Sequence, residues 1–128
     1  MNKETENRNT YKIHENGSVG EVQIADEVVA SIAGLAATEV KGVSSTSGNV
    51  TNEIVGKFSK KNLAKGVKVS VSPDEVSVDM ALTLDYGYGI AETAKQVQEK
   101  VKLAIENMTG LKVKEVNIRI AGVNIIKG

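Results

Sequence analysis

The chain has 128 residues, of which 41% are hydrophobic and only 3% aromatic, and its 16 basic and 16 acidic side chains cancel. That length fits one domain with a modest core of Val, Ile, Leu, Met and Ala, and a neutral chain has no global field to draw nucleic acid or anionic lipid. The absence of cysteine excludes disulfides, thiolate metal sites and cysteine nucleophiles, and no window approaches the ~18 consecutive apolar residues of a membrane span.

Residues 1–17 are polar and charged, with Ile13 the one aliphatic residue after the start, and read as a disordered tail with no signal-peptide core. The remainder, 18–128, reads as a single α/β domain. A lead strand is expected over Val19–Ile24. The pattern then turns helical over Ala25–Val40. Asp26 and Glu27 occupy the first turn, where the helix dipole favours acids, and Lys41-Gly42 follows the end. Val28, Ile32, Leu35 and Ala36 recur at helical spacing and form the expected core stripe. Val43–Ser47 fits a short strand. Residues 49–66 are a poorly defined basic loop.

Next, Val67, Val69 and Val71 alternate with polar residues, Pro73-Asp74 supplies turn chemistry, and Val76, Val78, Met80, Leu82, Leu84 and Tyr86 alternate in turn. This is a hairpin whose second strand has one dry face and one polar face. Gly87-Tyr88-Gly89 breaks it. A second helix follows over Ile90–Thr109, with Ile90, Ala94, Val97, Val101, Ile105 and Met108 as its seam and Gly110 as the left-handed residue past its end. A last strand covers Lys112–Val123, with Val116, Ile118 and Ile120 inward and Gly122 marking a bulge or strand end. The order β-α-β-β-β-α-β predicts an α/β (α+β) two-layer sandwich, a mixed sheet of about five strands with two main helices.

Several segments resemble the alkaline shock protein family of Gram-positive bacteria, also called the general stress or envelope stress response family. They are Gly20 to Val29 (GEVQIADEVV), Lys41-Gly42-Val43, Lys65-Gly66-Val67-Lys68-Val69, Tyr86 to Ile90, Met108 to Val113 and Glu115-Val116-Asn117-Ile118. The resemblance covers about Ser18–Ile125. It implies a cytoplasmic protein without catalysis, linked to envelope stress. It also implies self-association and docking on a membrane-anchoring partner, or a link to fatty-acid synthesis through acetyl-CoA carboxylase. It carries no catalytic residues and no cofactor.

The side chains agree with a non-enzyme. His14 is the sole histidine, too few ligands for a His-based metal site. Glu75, Asp79 and Asp85 share a strand face, but Ser77, Ala81 and Thr83 lie between them, and Lys68 and Arg119 on neighbouring strands offer cross-strand pairing, as on a solvated face. Gly87-Tyr88-Gly89 before a helix could bare N–H groups to a phosphate, yet it lacks a full dinucleotide or P-loop pattern, and a turn needing glycine freedom is the simpler reading. Lys57, Lys60, Lys61, Lys65 and Lys68 form a basic run able to touch phosphates or lipid headgroups. With no arginine and Phe58 as its one interleaved aromatic, it is a solvated loop rather than a sequence reader.

On the first helix, Ala30, Ala33, Gly34 and Ala37 occupy the side away from the expected stripe. Small residues there let another backbone approach closely: either a subunit or partner interface, or a helix covered by its own domain. Leu103 falls opposite the second seam and joins the candidate interface. The expected function is a scaffold that self-associates or docks on a protein partner. Regulation of acetyl-CoA carboxylase is the alternative, and binding to nucleic acid or a lipid surface comes third.

Overall fold

The computed structural model describes residues 10–16, 19–45, 64–71 and 75–125. The elements are β1 (Thr10–Asn16), β2 (Gly20–Ala25), α1 (Asp26–Thr38), β3 (Val43–Ser45), β4 (Val67–Val71), β5 (Glu75–Asp85), α2 (Ile90–Thr109) and β6 (Lys112–Asn124). The alternation of Val76, Val78, Met80, Leu82 and Leu84 makes β5 the spine of a four-stranded mixed sheet, because all five side chains are buried on one face. β6 runs parallel to β5 along its whole length. On the other edge β4 pairs antiparallel with the first half, Val67 opposite Met80, and β3 with the far end, Val43 opposite Leu84. The β5–α2–β6 crossover is what parallel pairing requires.

Both helices contribute to the core that covers the dry face of this sheet: Val29, Ala33, Ala36, Ala37 and Val40 of the α1 segment, Val97, Val101 and Ile105 of α2. The two-layer α/β architecture with two main helices is therefore as expected. α2 spans the expected residues and ends on Gly110, at φ 80°.

Four expectations are corrected. The polar tail is not wholly unstructured: Thr10–Asn16 pair antiparallel with Gly20–Ala25, with a bulge between Lys12 and His14. The sequence of this strand offers only one short alternation, Tyr11 and Ile13 with Lys12 and His14, and the backbone ladder to β2 is what defines it. The inner face of α1 is the small-residue one. Val29, Ala30, Ala33, Gly34, Ala36 and Ala37 are buried; of the expected stripe Ala36 reaches the core and Ile32 packs partly buried against it, while Leu35 is exposed. Helix α2 packs directly against α1, and close helix approach selects small side chains over large ones. The ends of the α2 seam fail as well. Ile90 and Met108 are exposed, and Thr93 and Thr109 are buried in their vicinity. The Thr109 hydroxyl donates to the Ile105 carbonyl at 2.6 Å and accepts from the Leu111 N–H at 3.0 Å, so its burial leaves nothing unpaired. Finally, Tyr86 lies beyond the end of β5 and is exposed rather than core. Pro73-Asp74 and most of the basic loop lie outside the described residues.

Candidate interaction surfaces

The carboxyl ends of β5 and β6 and the start of α2 meet at one end of the fold. Past Asp85 the chain turns through Gly87, at φ 105°, and enters α2 at Gly89. The Tyr86 N–H donates to the Asn124 carbonyl at 2.9 Å, tying the end of β6 to this turn. Tyr86 keeps the parity of the buried Leu84, and Val123 pairs with Leu84. Ile90 keeps the seam of α2. The apolar rows of sheet and helix therefore run on past the last covering element, and their final members emerge into solvent. Tyr86 is 73% exposed, Ile90 51%, Val123 47% and Ile125 68%. Tyr88, 43% exposed, closes the group on the α1 side, where its ring sits on Gly42. A concentration of large apolar and aromatic side chains at one end is a candidate interaction surface.

The opposite face of the sheet is polar. Lys68 stands opposite Asp79, which in turn pairs with Asn117; Arg119 stands opposite Ala81. The Asn117 amide donates to Asp79 Oδ1 at 2.8 Å. A shallow basin of about 500 Å³ over Gly66 and Ala81 is bordered by Lys68, Asp79, Asn117 and Arg119. Glu75 and Asp85 lie at opposite ends of β5, so the three acids on this face do not converge on one reacting bond. Among the described residues no cluster of His, Asp or Glu could hold a metal ion. The Gly87-Tyr88-Gly89 turn spends the Tyr88 N–H on the Asp85 carbonyl, at 3.4 Å.

Of the residues singled out in the sequence, Ala30, Ala33, Gly34 and Ala37 are inside the fold and cannot present a surface while it is folded. Leu103 is exposed. Lys65, just before β4, and Lys68, within it, are exposed, whereas Lys57, Lys60 and Lys61 lie outside the described residues. Sequence reasoning missed the apolar end because Tyr86 and Ile90 fit the periodic rows of their elements. The usable signal was that both rows continue to the very edge of the glycine-bracketed turn.

Among the described residues two acids have displaced titrations. Burial pushes Asp26 up, and its Oδ1 is buried without a partner. Glu106 is held below the usual glutamate range, first by the Val113 N–H that donates to it at 3.0 Å and then by Lys102 at 3.5 Å, against the opposing effect of burial. Among the described residues no helix is long and apolar enough to cross a membrane.

The sequence profile of the alkaline shock protein 23 family, described as having a cell envelope-related function, matches residues 14–125. The chain is 41% identical over 110 residues to the uncharacterized protein YqhY of Bacillus subtilis, covering 86% of this chain and 82% of that protein. It is 32% identical to the uncharacterized protein YloU of the same organism, over 83% and 90% of the two chains. A stress response regulator gls24 homolog of Streptococcus pyogenes is 26% identical over 94% of this chain and 68% of its own length. Among solved structures, a MamM C-terminal domain aligns with a TM-score of 0.47 at 15% identity, over 76% of this chain and 94% of that one.

Proposed function

The chain belongs to the alkaline shock protein 23 family of cell envelope-related function, and from that premise we propose that it is a non-enzymatic, cytoplasmic interaction protein of the envelope stress response. It docks on a membrane-anchoring protein through the apolar end built by Tyr86, Tyr88, Ile90, Val123 and Ile125. The observation that carries this reading is the exposure of those five large side chains at the place where the core runs out of the sandwich. Completing the burial of an isoleucine there on a partner gains up to about 1.5–3 kcal/mol, enough for a few such side chains to dominate an interface. A stress-response name among the relatives agrees with the setting.

The test is cell fractionation. The wild-type chain is expected to sediment with membranes, and Ile90→Asp or Tyr86→Ser to shift it to the soluble fraction with its fold intact. Equal partition of both would sink the reading. Recovery of an acetyl-CoA carboxylase subunit with the wild type, but not with these variants, would turn it towards enzyme regulation at the same surface.

A further inference from the structure

We infer that β6 pairs with the β6 of a second copy, antiparallel about a two-fold axis at Asn117, to join two sheets into one. Among the described residues β6 has one strand neighbour, β5, and its other edge has none along 13 residues. The direction of that free edge can be read from the bonds made there. Gln98 of α2 donates to the Val116 carbonyl at 2.9 Å, and the Val113 N–H reaches the Glu106 carboxylate; the register shift between Val113 and Glu115 brings these two groups, three residues apart, to the same edge. Backbone groups alternate sides along a strand, so those of Ile118 and Ile120 face the same way as the Val116 carbonyl. They have neither of these helix-borne caps. An edge guarded over its first half and open over its second is a template for another strand.

Charge selects the occupant and the register. The solvent face of β6 reads Glu115, Asn117, Arg119, all exposed. This triplet is its own complement when reversed. Centred on Asn117, an antiparallel copy sets each Glu115 against the other copy's Arg119, twice over, and Val116 against Ile118, whose N–H and carbonyl groups point across the edge. Centring on Arg119 would set like charges face to face, and the bulge between Leu82 and Thr83 in the β5–β6 register breaks the phase further on. Among the described residues Glu115 and Arg119 have no ion pair of their own. Pairing releases Gln98 from Val116 and exchanges that bond for strand bonds.

The surface is separate from the apolar end, so the two readings fail independently. The experiment is sedimentation equilibrium on the full chain and on charge reversals at the exposed positions. The wild type is expected to dimerise with concentration. Glu115→Arg alone and Arg119→Glu alone should each weaken the dimer by about tenfold or more, and the double exchange should restore it. Ile90→Asp should leave it unchanged. Hydrogen exchange at the Ile118 amide should slow as the dimer forms. A wild type that stays monomeric throughout overturns the inference. So does a dimer indifferent to the single reversals, or a double exchange no better than either.

Discussion

The ring of Tyr88 fills the space that a side chain on Gly42 would need. A Cβ built there would lie 2.8 Å from both Cγ and Cδ2 of the ring, and Gly42 itself sits at φ 102°. Its carbonyl accepts from the Asp85 N–H at 2.7 Å, so the turn after α1 is bound to the end of β5. Two segments far apart in sequence, both among those that resemble the alkaline shock family, are thus one contact.

Gly42→Ala should therefore destabilise the fold by about 2 kcal/mol or more, from the left-handed backbone and the displaced ring together. Tyr88→Ala in the same chain relieves the overlap but not the backbone strain. Urea unfolding of the two single variants and the double should show partial rescue, and full rescue would mean that the backbone carries no strain.

Ala33 is fully buried and Leu35 is 41% exposed on the same helix. Ala33→Leu should cost about 1–3 kcal/mol by forcing α1 off its neighbours, and Leu35→Ala well under that. The reverse ranking in thermal or urea unfolding would restore the large-residue stripe as the inner face.

How far the fold can be read from the sequence is clearest in α1 and α2. The β5 alternation, the span of α2 and the Gly110 cap were legible because each rests on a local rule that packing reinforces. The inner face of α1 was not. Periodicity weighted by side-chain size points to Val28, Ile32 and Leu35, whereas contact with a second helix rewards Ala33 and Ala37, and nothing in a single chain says that α2 will lie there. β1 was missed for a related reason, since it is defined by pairing with β2 and its two apolar residues, Tyr11 and Ile13, are too short a run to signal a strand. The apolar end was hidden inside correct periodicities. Tyr86 and Ile90 obey the rows of their elements, and only the three-dimensional end of the sandwich exposes them.

Glu106→Gln should lower stability at neutral pH. The folded carboxylate titrates below its usual range because the Val113 N–H and Lys102 favour the charged form. Its contribution is present in full above the ordinary glutamate pKa and is lost as the pH falls through the lower folded value. Unfolding curves of wild type and variant should converge in acid. A gap that stayed constant with pH would show that the ionised form is not what stabilises.

Thr83 is buried on the polar side of β5, and its hydroxyl oxygen has no hydrogen-bond partner. An unpaired buried hydroxyl costs about 1–3 kcal/mol, so Thr83→Val should leave stability equal or raise it by up to about 1 kcal/mol. A loss of about 1 kcal/mol or more in urea unfolding would mean that the hydroxyl is bonded in solution.

The most direct test of the central claim is the distribution of the chain between membrane and soluble fractions of lysed cells, wild type beside Ile90→Asp. Wild type is expected with the membranes and the variant released, with equal thermal stability. A wild type that remains wholly soluble, or a variant that sediments as the wild type does, would contradict docking through the apolar end.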